Sequence, residues 1–306
     1  MGNILKDKVA VVTGSGRGLG KAFVGLMAQE GARVVVNDLG GDIDGKGAST
    51  TPADEVVSEI RGQGGEAVAN YDSAATAEGG ERIIKTAIDN FARIDILVNC
   101  AGITRDRMIF NMTDEEWDSV IRVHLYGHFY CTRAACAVMR QQRSGHIINI
   151  SSIVALGNTG QANYGAAKAG ILGLTRCVAR DMARYGVTCN AILPHAATRL
   201  TLTDAVKAAA EEKKSMGIID DVVRATDELK ELTPEDNAPL VVFLASDAAS
   251  NINGCTFLVK KGLLQLYGDP MPLRTIYKPD RWTVEELMDL MPKSLAYGLG
   301  KSAAQS

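Results

Sequence analysis

Tyr164 and Lys168 stand four residues apart in a stretch whose pattern predicts a helix. Residues with this spacing lie on one face of a helix, so the phenol and the ammonium would be neighbours. A nearby ammonium favours the phenolate and should lower the pKa of the phenol from about 10 toward neutral pH. Such a phenol can take the proton of an alcohol as a general base. The spacing also arises by chance, so the residues around the pair must support this chemistry.

Two serines place hydroxyl groups upstream of this pair. Ser151 and Ser152 lie where a predicted strand, residues 146–151, comes to its end. Ligands of open α/β sheets bind at the carboxyl ends of the strands. Either serine is therefore positioned to hydrogen-bond the oxygen of a substrate.

A glycine-rich turn near the start of the chain predicts a nucleotide site. The predicted strand 8–13 runs directly into it, and an apolar-periodic helix follows. Glycines permit the tight turn, and backbone N–H groups can approach a pyrophosphate whose charge is favoured by the positive end of the helix. The residues expected to contact the cofactor here are Gly14, Ser15, Arg17, Gly18, Leu19 and Gly20.

Asp38 ends the second predicted strand, about 20 residues beyond this turn. Its carboxylate can accept hydrogen bonds from the ribose hydroxyls and would repel a 2′-phosphate, which predicts NAD as the cofactor. The alternative is an aspartate that only caps a turn with Gly40 and Gly41. Arg17 argues for the phosphorylated cofactor, because a guanidinium could meet a 2′-phosphate. We favour the carboxylate as the deciding group.

Short β-branched runs alternate with helical patterns along most of the chain. This rhythm predicts a Rossmann-like α/β fold with a doubly wound parallel sheet. Seven strands are expected, at 8–13, 33–38, 66–70, 94–99, 146–151, 187–193 and 256–259. Helices are expected at 19–30, 53–63, 78–91, 114–141, 163–185 and 235–246. Thr113 with Glu116, and Thr283 with Glu286, have the spacing of capping boxes.

One catalytic domain is expected to cover residues 1–266, followed by a C-terminal extension, 267–306. Within the domain the charged segment 199–233 contains a helix-prone run at 208–214. This segment is either a solvated surface helix or a lid over the substrate.

The composition limits the possible partners. A formal charge of -3 gives no general attraction to nucleic acid or to anionic membranes. The first residues lack an export signal, and no apolar run is long enough to span a bilayer, so we expect a cytoplasmic protein that binds small molecules. The six cysteines have no metal-ligand spacing and are interpreted as reduced core residues; no metal is expected.

Taken together, these motifs resemble the short-chain dehydrogenase/reductase family over about residues 6–262. Three further segments match: Asp72 after the third strand, residues 99–102 after the fourth, and Pro194 after the sixth. The resemblance implies a cofactor site that also includes Asp72, Ser73, Asn99, Ala101, Gly102, Tyr164, Lys168, Pro194, Ala197 and Thr198. It further implies a tetramer.

The resemblance also implies catalytic roles. Tyr164 would exchange the proton, Lys168 would also bond the nicotinamide ribose, and a serine would polarise the substrate oxygen. The family's usual separation from the tyrosine selects Ser151, whereas the strand-end pattern Asn-x-Ser-Ser selects Ser152. We favour Ser152, because a loop deletion is easier than a register shift that reverses the face of a strand. His124 stands where many members have an Asn that holds a water in the proton relay.

Within the family, the segments 36–41, 69–73 and 122–127 resemble the (3R)-hydroxyacyl-CoA dehydrogenase domains of type 2 multifunctional enzymes and their bacterial relatives. A 3-hydroxyacyl-CoA is therefore the first substrate expectation, and a steroid or other bulky alcohol is the second. Arg105 and Arg107 either meet CoA phosphates or form an ordinary surface pair.

Three departures from the family pattern favour a different class of function. Cys100 replaces a second Asn, His195 stands where Gly is usual, and residues 260–262 read Lys-Lys-Gly. These differences motivate the alternative of a non-catalytic binding subunit.

Overall fold

The computed structural model of this chain describes residues 2–198, 201–202, 204–216 and 221–299. One sheet of eight strands organises it, in the order β3-β2-β1-β4-β5-β6-β7-β8. The strands are β1 Val9–Thr13, β2 Arg33–Asn37, β3 Ala67–Asn70, β4 Ile96–Asn99, β5 Gly145–Ile150, β6 Val187–Pro194, β7 Thr256–Lys260 and β8 Leu263–Tyr267. Strands β1 to β7 pair in parallel, which confirms the predicted doubly wound α/β fold.

Ten α-helices flank or follow these strands in the described residues. They are α1 Gly18–Gln29, α2 Thr51–Gly62, α3 Ala77–Phe91, α4 Asp114–Ile121, α5 Gly127–Gln142, α6 Ala162–Met182, α7 Asp204–Ser215, α8 Asp221–Lys230, α9 Ala238–Leu244 and α10 Val284–Leu290. The predicted capping boxes at Thr113 and Thr283 are both formed, at the starts of α4 and α10.

The sheet is covered on both faces, and β1 shows how the sequence achieves this. Its side chains alternate, so Ala10 and Val12 join a core with α1, α2 and α9, while Val9 and Val11 join a second core with α3, α5 and α6. Every residue of β1 is buried. A strand buried on both faces explains its continuous run of β-branched residues.

Two predictions about the elements were wrong. An eighth strand, β8, returns antiparallel against β7 through the turn at Lys261, which has a φ of 46°. The predicted helix 114–141 is not continuous, because a π turn at Arg122–Tyr126 separates α4 from α5. A π turn adds one residue to the helical path and is frequent at functional sites.

The chain divides into two compact units, residues 1–267 and 268–306. The second unit contains α10 and a short 3₁₀ turn at Met291–Lys293. No helix among the described residues is both long and apolar enough to cross a membrane.

The six cysteines carry no disulfide, but they are not all core residues. Cys131 and Cys189 are buried, whereas Cys177 is exposed on α6. The remaining three, Cys100, Cys136 and Cys255, are half-buried. Exposure of Cys177 corrects the expectation that all six lie in the core.

Candidate active site

The glycine-rich turn between β1 and α1 has a shape that side chains would block. Gly14 has a φ of 64°, and a Cβ added there would lie 2.7 Å from Cα of Ala101. At Gly20 a Cβ would lie 2.3 Å from the carbonyl oxygen of Gly14. Glycine is therefore required at both positions for the turn to fold back and present backbone N–H groups beside the start of α1.

A cleft opens over this turn at the carboxyl edge of the sheet. Most of the predicted cofactor residues line it: Gly14, Arg17, Gly18, Leu19, Gly20, Asp38, Asp72, Ser73, Ala101, Gly102 and Thr198. The sequence analysis missed the loop after β2, from which Leu39, Gly41, Asp42 and Gly45 also line the cleft, and it missed Ala74, Ala75, Ile103 and Val123. The glycines of this loop were the available signal, since it lies between a strand and a helix at the same sheet edge.

Two predicted cofactor residues lie inside the protein instead. Ser15 is fully buried, and its hydroxyl donates to the carbonyl oxygens of Val12 and Asn37. Asn99 points into the core, where its Nδ2 donates to Thr132 and Asn149. Their side chains hold the turn and the strand in place, and Cys100 rather than Asn99 lines the cleft.

The turn after β4 remains tied to β1 despite Cys100. The hydroxyl of Thr13 accepts hydrogen bonds from the backbone N–H groups of Cys100 at 3.0 Å and Ala101 at 3.2 Å. Burial raises the pKa of the Cys100 thiol to about 12, so the thiol is protonated at neutral pH. The departure at this position leaves the main-chain turn intact.

Asp38 caps the turn after β2, as its alternative role predicts, and it also lines the cleft. Its Oδ1 accepts from the N–H of Gly40 at 2.7 Å, which caps the turn after β2. Its Oδ2 accepts from the N–H of Gly16 at 2.8 Å, within the glycine-rich turn, and the residue lines the cleft. Arg17 donates to the carbonyl oxygen of Gly41 at 3.5 Å, on the same side. Asp38 and Arg17 thus both line the cleft, and each hydrogen-bonds the backbone of the loop after β2.

The two serines at the end of β5 have different partners. The hydroxyl of Ser151 is buried and donates to the carbonyl oxygen of Lys168 at 2.8 Å. Ser152 is half-buried and accepts from the N–H of Val154, and its side chain is near enough to the Tyr164 phenol to lower the pKa of that group. Only Ser152 therefore has its hydroxyl beside the phenol.

Burial dominates the electrostatics of the Tyr164–Lys168 pair. It raises the pKa of Tyr164 to about 12, against the opposite effect of the Ser152 hydrogen bond. Burial also lowers the pKa of Lys168 to about 8. The ammonium lies 5.4 Å from the centre of the Tyr164 ring and donates to the carbonyl oxygen of Ile150 at 2.6 Å. The expected lowering of the phenol pKa is thus not found in the chain without ligands.

His124 lies in the π turn and packs edge-on against Tyr164, with ring centres 5.1 Å apart. The imidazole is buried, and its Nε2 lies 2.8 Å from the carbonyl oxygen of Ile103. Burial and Lys168 hold the pKa of His124 well below its usual range, so the ring is neutral. A Cβ on Gly102 would lie 2.4 Å from Cε1 of His124, which explains the glycine there.

Asn163 anchors the first turn of α6, and the sequence analysis missed it. Its side chain is fully buried and accepts from the N–H of Tyr164 at 2.7 Å. It donates to the carbonyl oxygens of Arg105 and Glu116, at 3.0 and 2.9 Å. One amide therefore joins α6, α4 and the loop after β4 next to the phenol. An asparagine directly before Tyr164 was the only signal.

Arg105 and Arg107 are occupied by protein partners. Arg107 forms a two-pronged contact with the buried Glu116, at 2.8 and 3.2 Å. Arg105 donates to the carbonyl oxygen of Asp44 and to Glu115, both at 3.3 Å. Both guanidinium groups thus have acidic protein partners, and a contact with CoA phosphates stays a prediction.

The other predicted cofactor residues lie at the end of β6 and in the segment that follows it. Thr198 lines the cleft, and Pro194 and Ala197 precede it on the path from β6. His195 is half-buried, and Asn237 fixes its backbone through its side-chain oxygen and nitrogen, at 3.2 and 3.1 Å. The side chain at position 195 is therefore accommodated without loss of the turn.

The predicted lid segment continues as two helices, α7 and α8; Arg199, Leu200, Thr203 and 217–220 lie outside the described residues. Ion pairs join the helices, between Lys214 and Asp227 at 2.6 Å and between Lys230 and Glu211 at 3.1 Å. The predicted helical character of the segment is confirmed, and its role as a lid stays a prediction.

Comparisons with known proteins agree with this geometry. Residues 14–264 match the model of a short-chain dehydrogenase family described as enoyl-(acyl carrier protein) reductase. A protein named as a short-chain type dehydrogenase/reductase in Mycobacterium tuberculosis is 44% identical over 262 residues, covering 85% of each chain. A short-chain dehydrogenase from Mycobacterium avium of known structure is 40% identical, with a TM-score of 0.80 and 96% of each chain covered.

Two relatives carry more specific names. The 3-oxoacyl-[acyl-carrier-protein] reductase of Synechocystis is 43% identical, with 85% of this chain and 98% of the relative covered. The mouse peroxisomal multifunctional enzyme type 2 is 45% identical over 256 residues, which are 83% of this chain but only 32% of that protein. With the glycine-rich turn, the cleft and the Ser152–Tyr164–Lys168 arrangement, these matches show that the chain belongs to the short-chain dehydrogenase/reductase family, whose fold takes a nicotinamide nucleotide.

Proposed function

We propose that this chain is an NAD-dependent oxidoreductase that interconverts a secondary alcohol and a ketone. The observation that carries the proposal is the position of the Tyr164 phenol, whose pKa is lowered by the Ser152 side chain, with the Lys168 ammonium 5.4 Å from the centre of the same ring. A substrate hydroxyl between the two oxygens could be held by one and deprotonated by the other. A bound nicotinamide nucleotide supplies the acceptor for the hydride.

The buried charges explain how the chain would prepare this proton transfer. A phenol with a pKa near 12 is a poor acid until positive charge approaches it. Lys168 already lies on the same helix, and its Nζ can hold a ribose hydroxyl while its charge favours the phenolate. The residues fit the cofactor, because the turn at Gly14 and Gly20 has no room for side chains and exposes backbone instead.

Asp38 supports NAD over NADP. Its carboxylate lines the cleft over the glycine-rich turn, and both of its oxygens are oriented by backbone N–H groups. A fixed carboxylate can accept from ribose hydroxyls and repels a 2′-phosphate. Arg17 remains the opposing group, since its guanidinium lies on the same side.

We propose a 3-hydroxyacyl-CoA as the substrate. The names of the mouse and Synechocystis relatives, a peroxisomal multifunctional enzyme and a 3-oxoacyl thioester reductase, support an acyl thioester. A mycobacterial relative named as a hydroxyacyl-CoA dehydrogenase, 40% identical over 275 residues, supports it further. A steroid or other bulky alcohol is the second candidate, and a cytoplasmic tetramer stays a prediction.

The test is a substrate panel assayed for NADH and NADPH formation. Both enantiomers of 3-hydroxyacyl-CoAs of several lengths are compared with hydroxysteroids and simple secondary alcohols. We expect turnover of one 3-hydroxyacyl-CoA enantiomer with NAD. Turnover of steroids alone would overturn the thioester proposal, and NADP as the preferred cofactor would overturn the role of Asp38.

Calorimetry, together with the turnover assay, distinguishes an enzyme from the alternative of a non-catalytic binding subunit. We expect NAD to bind the wild-type chain and the substrate panel to turn over. Binding without turnover of any alcohol would favour a binding subunit, and no binding of either nucleotide would refute the cofactor site.

A further inference from the structure

The Arg105 side chain is mostly buried, although its acidic partner lies in solvent. It is 16% exposed, against 53% for Arg107, whereas the Glu115 side chain is 76% exposed. A 3.3 Å contact with so exposed a carboxylate contributes little to stability and does not explain an enclosed guanidinium. The guanidinium also donates through Nη1 to the carbonyl oxygen of Asp44 at 3.3 Å. This second contact joins Arg105 to the loop after β2.

The loop after β2, residues 38–50, is a compact segment with its own hydrogen bonds. The N–H of Ser49 donates to the carbonyl oxygen of Leu39 at 2.9 Å, which brings the two ends of the loop together. At the tip, the N–H of Asp42 donates to the carbonyl oxygen of Lys46 at 2.7 Å. Compact surface loops with closed ends frequently carry function. Since Leu39 and Asp42 both line the cleft, this loop forms one of its walls.

Two successive hydrogen bonds hold the tip of this loop against the loop after β4. The N–H of Thr104 donates to the carbonyl oxygen of Ile43 at 3.1 Å, and the Arg105 guanidinium donates to the next carbonyl, that of Asp44. Thr104 uses its backbone, which every residue except proline could supply, whereas Arg105 uses its side chain. This contact between the loops therefore depends on the identity of residue 105.

A close approach of apolar atoms continues the contact. Gly45 lies so near the Ile103 side chain that an added Cβ would be 3.0 Å from its Cδ1. Ile103 is buried, and both residues line the cleft. Two walls of the cleft are thus joined to each other at the tip of the loop after β2.

The backbone of Arg105 is itself anchored to the start of α6. Its carbonyl oxygen accepts from the side chain of Asn163 at 3.0 Å. The same Asn163 side chain accepts from the N–H of Tyr164 at 2.7 Å. Arg105 therefore connects the first turn of the helix that carries the phenol with the loop that lines the cleft.

We propose that Arg105 is a positioning residue for the nicotinamide nucleotide, whose guanidinium holds the tip of the loop after β2 against the loop after β4. This inference rests on the proposed function, which places the nucleotide in this cleft. A loop that is ordered in advance loses less conformational entropy when the ligand binds. Without the guanidinium the tip is released, so the nucleotide should bind more weakly.

The alternative of an arginine that meets CoA phosphates makes a different prediction. An arginine with that role would change the KM for the acyl substrate and leave nucleotide binding unchanged. Nucleotide binding measured without any acyl-CoA therefore separates the two roles of Arg105.

The test compares matched variants of the full-length chain. Arg105→Met keeps a long side chain and removes every donor, and Arg105→Lys retains an ammonium donor. Glu115→Gln changes the exposed partner and leaves the bond to Asp44, so it is the control. Hydrogen exchange of the nucleotide-free protein follows the N–H groups of residues 42–49, and calorimetry gives the Kd for NAD without substrate.

We expect the Kd for NAD to rise about tenfold in Arg105→Met, to rise less in Arg105→Lys, and to stay near the wild-type value in Glu115→Gln. Residues 42–49 should exchange faster in nucleotide-free Arg105→Met. The KM for NAD should rise with the Kd, while kcat at saturating NAD changes little. An unchanged Kd in folded Arg105→Met overturns the proposal, and a rise in the KM for acyl-CoA alone would assign Arg105 to the CoA phosphates.

A glycine pair tests the same contact from the loop after β2. Gly45 and Gly47 have φ values of 87° and 75°, so alanine meets a similar backbone cost at both positions. The added Cβ would press on Ile103 at position 45, but at position 47 it would meet no atom of the described residues within 4 Å. Gly45→Ala should therefore raise the Kd for NAD more than Gly47→Ala does. Equal effects would contradict a role for the contact at the tip.

The wild-type chain separates failure of this inference from failure of the proposed function. If it binds NAD but oxidises no alcohol, the proposed chemistry fails, and a higher Kd in Arg105→Met still supports the positioning role. If it oxidises an alcohol with NAD while Arg105→Met binds NAD as tightly as the wild type, the positioning role alone fails.

Discussion

At the glycine-rich end of the cleft, the surface offered to a ligand is mostly backbone, held by the absence of side chains at Gly14 and Gly20. Around Tyr164 and Lys168, the second region of the site, it is made of buried side chains whose pKa values are moved by burial. The first end depends on shape, and changes there should alter which nucleotide binds. The second depends on charge in a dry environment, and changes there should alter the rate of chemistry. Substitutions at Tyr164, at the two serines, at Asp38 and at Glu116 test this division.

The largest effect is expected from Tyr164→Phe, which removes the phenol oxygen and keeps the ring against His124. Turnover should fall about 10³-fold or more, because no other group is placed to exchange the substrate proton. The Kd for NAD, measured by calorimetry, should stay near the wild-type value. Substantial residual activity in Tyr164→Phe would show that the Tyr164 phenol is not the group that exchanges the substrate proton.

Replacing Ser151 and Ser152 in turn tests which of the two serines is catalytic. Ser152→Ala should lower kcat about 100-fold, since its hydroxyl is the one beside the phenol. Ser151→Ala removes a bond to the Lys168 carbonyl and should lower kcat much less. Steady-state kinetics of the two variants, with Tm as a control for folding, give the comparison. The reverse order of effects would transfer the catalytic role to Ser151.

Asp38 tests the cleft over the glycine-rich turn. Asp38→Asn keeps an oxygen for the backbone cap but removes the charge, so the ratio of kcat/KM with NAD to that with NADP should fall about tenfold. Asp38→Ala should lower the ratio further, because the N–H groups of Gly16 and Gly40 lose their acceptor. The value of kcat with saturating NAD should change little. An unchanged ratio in both variants would remove Asp38 as the determinant of cofactor preference.

The smallest effect on turnover is expected from replacing Glu116. Its backbone carbonyl accepts from Asn163, the residue before Tyr164. The guanidinium of Arg107 and the N–H of Thr113 lower the pKa of this carboxyl to about 2, from an ordinary 4.5. A group with a lowered folded-state pKa stabilises the fold above its unfolded pKa, and this stabilisation is lost as pH falls toward 2. Glu116→Gln should therefore lower the urea midpoint at pH 7, with a smaller difference at pH 3.

Glu115→Gln is the matched control, because that carboxylate is mostly exposed and makes only a 3.3 Å contact with Arg105. Its urea midpoint should stay close to the wild-type value at both pH values. If the urea midpoint of Glu116→Gln lies below that of the wild type by the same amount at pH 7 and pH 3, the loss of stability comes from packing rather than from the charged contact.

The sequence predicted those parts of the site that depend on local pattern. The glycine-rich turn, the strand-end Asp38 and the one-face spacing of Tyr164 and Lys168 follow from neighbours in the chain, and the structure brings each to the same sheet edge. Asn163 and the loop after β2 were missed, since their contributions come from contacts with residues far along the chain.

The direction of the Tyr164 pKa was wrong for the same reason. Spacing shows that an ammonium is near, but it does not show how deeply both groups are buried. Desolvation is set by the packing of α4, α5 and the turn after β4 around them, which no local motif contains. The eighth strand was missed because β8 has neither buried residues nor a parallel partner to give it the pattern of β1.

The π turn at Arg122–Tyr126 sets the rotational phase of α5 relative to α4. Its extra residue lets Val120 before the turn and His128, Cys131 and Ala135 after it all point inward. Deleting one residue from the turn would restore an uninterrupted helix and rotate everything downstream by about 100°. His128 would turn away from the interior, and a different set of side chains would face the sheet. The length of this turn, and not only its sequence, is therefore a condition for the site.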